Sequence, residues 1–205
     1  YFVKLCSDLV GSAGRVFGYE PEPKNFSLLS EVCDGLGNVD IFNFALGHKK
    51  VMAPLFVNSD NDGGHALWDV SRYPFNVKSQ KDRIVIQTQV NTIDELFADH
   101  DMSKLKLLML DAEGSEHAII KGGINTITDV SPYIICEIND PALEQCGTSQ
   151  IGLRSYLSMY GYTGYWMDTD KCVDIGMDYC AVTVDKDKTV FNVLFSKRGK
   201  CNANA

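Results

Sequence analysis

The densest group of reactive side chains in this chain is Asp111-Ala112-Glu113-Gly114-Ser115-Glu116-His117. Asp111 ends an almost wholly apolar run, Leu105–Leu110, where a bare carboxylate is costly unless it is paired or put to use. Glu113 and His117 stand four apart, so a helix would place them on one face. Three chemistries fit these types at this spacing. The group could position a hydroxyl and accept its proton. It could hold a divalent metal through Asp111, Glu113 and His117. It could equally cap and solvate a helix N-terminus, where the dipole favours acids. Glu137 interrupts the apolar run Tyr133–Ile138 near its end, either as the polar wall of a pocket or as a satisfied buried carboxylate. Glu20 closes the run Arg15–Tyr19 and precedes Pro21. A carboxylate there can accept from both hydroxyls of a ribose, or can be a surface acid beside a turn proline. His65 and Trp68 belong to Gly63-Gly64-His65-Ala66-Leu67-Trp68-Asp69. They could close over an acceptor, or sit in a solvent-facing loop with one packed indole. His48 and His100 read as surface residues. Neither GxxxxGK[ST] nor HExxH occurs in the sequence.

The elements that must position these residues are legible from periodicity. Apolar residues at 2, 5, 6, 9 and 10 predict a helix over Tyr1–Val10, stopped at Gly11. A short strand over Arg15–Tyr19 leads to a helix over Pro23–Cys33, with proline at its start. Asn38–Phe44 alternates as a strand does, and Ala45-Leu46-Gly47 follows it. Val51–Val57 and Arg83–Val90 are two more strands. The 25 residues Asn58–Asp82 between them read as a structureless loop, of the kind that often serves as a lid. Thr92 caps a short helix to Phe97. Leu105–Leu110 and Tyr133–Ile138 read as parallel strands buried on both faces. Helices over Ser115–Gly122 and Ser149–Tyr160 end at Gly122-Gly123 and Gly161. Late strands over Tyr162–Met167 and Thr189–Ser196 suggest an antiparallel hairpin at one edge.

This order predicts an α/β fold, a doubly wound and mostly parallel sheet in one domain over 1–200, with a frayed tail over 201–205. In such sheets ligands bind beyond the carboxyl ends of the strands. That rule selects Glu20, Ala45, Leu46, Asp111, Glu113 and Glu137. An acid that binds ribose normally lies ~20 residues after a glycine loop. Glu20 lies 19 residues after Tyr1, and the chain opens inside an apolar pattern. The expectation is a chain truncated at its N-terminus, with the first strand and the glycine loop missing.

Bulk properties narrow the partners. The net charge of −8 argues against a nucleic-acid partner, which needs a basic face. No apolar run approaches the ~20 residues that span a bilayer, so no membrane partner is expected. Seven cysteines, an odd number without a CxxC pair, read as reduced thiols of a cytoplasmic protein.

Several segments together resemble the FkbM family of S-adenosylmethionine-dependent methyltransferases. They are Gly14–Pro21 with Pro23, Asn25 and Phe26; Asn38-Val39 with Ala45-Leu46-Gly47; Asn91–Leu96; Leu108–Glu116 leading to Ile119–Gly123; and Pro132–Ile138. The resemblance covers roughly 1–138. It implies a Rossmann-like fold, S-adenosylmethionine as donor, and transfer to an oxygen of a sugar, polyketide or other metabolite. The partner implied is a small-molecule or glycan acceptor. By position, Glu20 with Pro21 would bind the donor's ribose, and Ala45 and Leu46 would lie near the adenine. Asp111 and Glu113 would lie beside the transferable methyl and act as the catalytic pair, Asp111 also touching the donor. His65, Trp68 and Glu137 are the candidate acceptor contacts, and no metal ligand is assigned. Two departures stand out: the family's glycine loop is absent, and the lysine usual two residues before the aspartate is Met109. The rival readings are a non-catalytic Rossmann-like nucleoside-binding module and a metal-assisted enzyme built on Asp111, Glu113 and His117.

Overall fold

A computed structural model describes residues 2–98, 102–168, 171–174 and 190–197. The expected tail over 201–205 lies outside the described residues. The chain divides into two compact units, Tyr1–Asn91 and Thr92–Ala205.

The first unit begins with helix α1, Phe2–Val10. Its last carbonyls lack intrahelical donors. Gly11 N and the Asn38 side-chain amide both donate to Ser7 O, at 3.1 Å each, and the same amide donates to Gly11 O just beyond the helix at 2.9 Å. Strand β1, Val16–Tyr19, lies parallel to β2, Val39–Phe42, with Val16 opposite Val39 and Tyr19 opposite Phe42. Helix α2, Pro23–Cys33, connects them. Its start is set by Pro23, whose missing N–H is no loss there, and by Glu22, which accepts from Asn25 N at 2.7 Å. At the ends of the two strands the rings of Tyr19, Phe42 and Phe44 pack with centroids 5.4–5.6 Å apart. Strand β3, Ala45–Leu46, and strand β4, Val51–Val57, flank β5, Ile84–Asn91, β3 in parallel and β4 antiparallel. Pro54 fits β4 because β4 is an outer strand, where a missing ladder donor is tolerated.

The stretch 58–82 is not the structureless loop its composition predicts. It holds a 3-10 turn, Val70–Arg72, and helix α3, Val77–Lys81. Short polar side chains hold its backbone. Asn58 Oδ1 accepts from Asp60 N and Asn61 N, and Asp60 accepts from Lys78 N, Ser79 N and Ser79 Oγ at 2.8–2.9 Å. Asn, Asp and Ser in this density mark side chains that replace a regular ladder.

The second unit begins with α4, Ile93–Leu96, where Thr92 Oγ1 accepts from Glu95 N at 3.1 Å. Then come β6, Leu107–Leu110; α5, Glu116–Gly122; α6, Ile124–Val130; β7, Tyr133–Asn139; α7, Asp140–Gln145; α8, Gln150–Met159; β8, Thr163–Asp168; β9, Lys171–Asp174; and β10, Val190–Ser196. The sheet order is β6-β7-β10-β8-β9. Among the described residues only β6 and β7 pair in parallel and the other pairs are antiparallel, so this sheet is mixed and not the mostly parallel one expected. The two late strands do lie side by side, β10 against β8, but β9 holds the outer place. One face of β7 forms the core: Ile134, Cys136 and Ile138 are fully buried, with Val193 of β10 and Ile120, Ile127, Leu153 and Leu157 of the helices.

A further expectation is corrected here, and two short helices join those expected. Helix α5 ends at Gly122-Gly123 as expected, but α6, which periodicity did not reveal, begins at once. Gly123 is the joint, and a Cβ there would lie 2.9 Å from Ile93 Cβ. Helix α7 carries its own start signals, since Asn139 caps it and Pro141 lies in its first turn. Finally, β6 is not buried on both faces. Among the described residues it is an outer strand, and Leu107 is 39% exposed.

Asp94 joins α4 to α6. Its carboxylate accepts from Asn125 N and Nδ2 and from Thr126 N and Oγ1, at 2.8–3.2 Å. Four donors at one helix start make it an N-cap supplied from another helix. Replacing Asp94 by Ala is expected to cost about 1–2 kcal/mol, read as a lower urea midpoint at unchanged slope. An unchanged midpoint would show that water caps α6 equally well.

Candidate functional site

The parallel register of β6 and β7 sets Leu110 opposite Cys136, so the next residues, Asp111 and Glu137, come level. Strand alternation then turns both to the face opposite Ile134, Cys136 and Ile138. Two carboxyl groups thereby emerge side by side at the carboxyl ends of parallel strands.

The third comes from the turn after Asp111. Glu113 adopts φ 48° and Gly114 φ 94°, both left-handed. A residue with a side chain is strained there by about 1–2 kcal/mol. Gly114 is required twice over, by its φ and because a Cβ would lie 2.5 Å from Ala142 O. The turn is closed by Ser115 N donating to Ala112 O at 3.0 Å. From below, Glu116 Oε1 accepts from Ala112 N at 2.8 Å and Gly114 N at 3.2 Å. The outcome is that one carboxylate oxygen each from Asp111, Glu113 and Glu137 lies within 4.8 Å of the others.

Three acids this close cannot all be charged at little cost. Burial, then the neighbouring Asp111 as a charge and as a partner for the protonated form, push the Glu137 pKa up to about 7. Burial, then the charges of Asp111 and Glu116, push Glu113 up to about 7 as well. A shared proton relieves the repulsion, and the same oxygen-only donor set suits a hard divalent cation.

His117 is not part of this cluster. Its Nδ1 is 2.5 Å from Thr148 Oγ1, its ring packs on Tyr156, and burial with Lys121 nearby pushes its pKa down to about 4. The trio of Asp111, Glu113 and His117 is therefore replaced by Asp111, Glu113 and Glu137.

The remaining candidates lie in the first unit. Glu20 ends β1, half-buried, with Oε1 accepting from Glu22 N at 2.8 Å. Burial raises its pKa, against that backbone hydrogen bond. Its backbone is fixed on both sides, by Glu20 N donating to Phe42 O and by Asn43 Nδ2 donating to Glu20 O. Among the described residues no group donates to Oε2. Pro21 follows, half-buried, its carbonyl accepting from the same Asn43 amide. Ala45 is buried and Leu46 half-buried, both on β3. His65 Nδ1 accepts from Asn58 N at 2.9 Å, and Ala66 bridges to Phe56, which pins this part of the loop. Trp68 is half-buried in the same loop.

Sequence reasoning missed Glu116, which is 1% exposed and shapes the turn. The available signal was an acid at the first turn of a helix, where a side chain can reach back to preceding N–H groups.

Residues 1–163 match the family model described as the methyltransferase FkbM domain. The chain is 25% identical over 152 residues to a 2-O-methyltransferase, NoeI, of Sinorhizobium fredii, covering 71% of this chain and 60% of that protein. It also resembles the crystal structure of methyltransferase FkbM from Methylobacillus flagellatus, with a TM-score of 0.55 at 14% identity, over 94% of this chain and 40% of the other. The chain thus spans less than two thirds of the length of either relative.

The raised carboxyl groups carry a stability signature. In the folded state Glu113 and Glu137 hold protons up to about pH 7, whereas unfolded they release them near 4.5. Across that window the folded protein binds more protons, so stability is present below it and is lost as pH rises through it. His117, depressed to about 4, works in the opposite sense below its ordinary 6.5. The comparison with Glu137→Gln isolates the cluster. The wild type should lose more stability than the variant between pH 5 and pH 8, read from urea midpoints. Parallel pH profiles would show that the acids ionise independently.

Proposed function

As this chain belongs to the methyltransferase FkbM family, we propose that it transfers a methyl group from S-adenosylmethionine to a hydroxyl oxygen of a sugar, polyketide or other metabolite. The observation that carries this reading is the convergence of Asp111, Glu113 and Glu137 at the carboxyl ends of a parallel strand pair. Kinship with a protein named as a 2-O-methyltransferase supports oxygen as the acceptor atom. The parallel pairs β1–β2, β3–β5 and β6–β7 support the finer reading of the fold, a Rossmann-like methyltransferase domain over 1–200.

The donor supplies a methyl group already activated on a sulfonium. What remains for the protein is to hold the reactants and to take one proton. As the acceptor oxygen forms its bond to carbon and the sulfur–carbon bond breaks, the hydroxyl proton must go to a base. A carboxyl group that titrates near 7 suits that task, being both free to accept and basic enough to retain the proton. Asp111 and Glu113 are assigned this role, Asp111 also lying beside the donor, with Glu137 orienting the acceptor. In the first unit, Glu20 fits a ribose diol. Its Oε1 is fixed by Glu22 N, and Oε2 remains for a hydroxyl donor. Pro21, Ala45 and Leu46 complete the donor contacts in this reading. His65 is assigned to the acceptor through Nε2, since Nδ1 is committed to Asn58 N; Trp68 is assigned beside it. Hydrogen bonds hold their loop, so these residues act without a swinging lid.

Two measurements test this in the full-length protein. With labelled donor and a hydroxyl-bearing acceptor found by screening, Asp111→Asn and Glu113→Gln should each lower kcat by about 10²- to 10⁴-fold. Unchanged rates in both would sink the assignment. By calorimetry, Glu20→Gln should weaken donor binding by about 10-fold. Equal affinity would remove Glu20 from the donor site.

A further inference from the structure

We infer that Glu116 is the positioning residue of this site: its buried carboxyl group holds the turn that aims Glu113 at Asp111 and Glu137. The inference deepens the methyl-transfer reading and, for its catalytic consequence, rests on it.

The geometry leaves Glu116 little other use. It is 1% exposed, so it does not meet an acceptor directly. Its Oε1 takes two backbone N–H groups, those of Ala112 and Gly114, which flank Glu113 on either side. A turn gripped at both neighbours has its central residue fixed between them. That residue stands at φ 48°, a conformation that a side chain disfavours and that a free chain would leave. Gly114 adds the counter-stop, lying so close to Ala142 O that the turn cannot shift toward α7. Strain of this kind persists only where surroundings over-determine it. Here those surroundings include the buried acid, the close backbone contact and the Ser115 N to Ala112 O hydrogen bond that closes the turn. Among the described residues Glu116 Oε2 is buried and has no hydrogen-bond partner, so the carboxyl group's hydrogen bonds there are those made at Oε1. A glutamine would keep that grip, because its amide oxygen has two acceptor sites. A methionine of similar volume would lose it.

The test uses the full-length protein with labelled donor. Glu116→Gln should retain kcat within about 3-fold, whereas Glu116→Met should lose 30-fold or more in kcat, with donor KM within about 3-fold of wild type. A merely structural role would lower the amount of folded enzyme and would not separate kcat from KM. Should the methionine variant fail to fold, Glu116→Asp takes its place, keeping the charge but shortening the reach, with the same expected split. Wild-type kcat in the folded Met or Asp variant would overturn the positioning role. If the wild-type protein transfers no methyl group, the methyl-transfer reading fails instead. The crystal structure of Glu116→Met then decides the positioning: a Glu113 that leaves the left-handed region upholds it, and one that stays at positive φ overturns it.

Discussion

The candidate site depends on one constraint, the register of the parallel β6–β7 pair. Leu110 opposite Cys136 is a core contact, fixed by burial of both. A slip of one residue would carry Cys136, Ile134 and Ile138 out of the core and turn every side chain of the strand to the other face. Because that is costly, the next step along both chains is fixed as well, and it carries Asp111 and Glu137. Apolar packing below the sheet end thus sets the distance between two acids at the sheet end. Neither acid contributes to the core that determines where it stands.

Glu113 reaches the same place by the opposite means. No ladder holds it, so its position comes from a strained turn and from polar tethers. Bringing a third carboxyl group to a pair raises proton affinity, and burial does most of that work for Glu113 and Glu137 alike. Folding energy is spent here on holding like charges together. That is the pattern expected where a proton, a cation or a polar substrate repays the repulsion in the functioning protein.

Much of the frame was legible because it is written in local chemistry. Pro23 at a helix start, Thr92 as a cap and the apolar runs Leu107–Leu110 and Tyr133–Ile138 each act within a few residues. The shared helical face of Glu113 and His117 failed because Glu113 lies before α5, in the turn. Helix α6 was hidden because a glycine pair ordinarily ends a helical stretch; here it ends α5 alone, and Gly123, making room for Ile93 thirty residues earlier, lets α6 follow directly. The order of the stretch 58–82 was hidden because it comes from side chains bonding to distant backbone, which carries no period. Glu137 beside Asp111 could not be foreseen without the register. Nor could Glu116, whose role exists only once the turn has formed.

The acids of this chain divide by how their oxygens are used, and that division separates binding from proton handling. Glu20 has its backbone tied at N–H and carbonyl, one oxygen fixed by a single backbone N–H, and the other oxygen open to a donor. Such a group is oriented and remains an acceptor, as a hydroxyl-binding residue must be. Glu113 and Glu137 stand among other acids, so their proton affinity rises and they exchange protons near neutral pH. Glu116 has one oxygen saturated by two backbone donors and is sealed from solvent, which suits neither binding nor exchange but suits holding a backbone. The same functional group is thus fitted to three different jobs by the number of N–H donors it meets and by the charges beside it. Residue type alone does not distinguish them, and the turn after β6 is where the distinction is made.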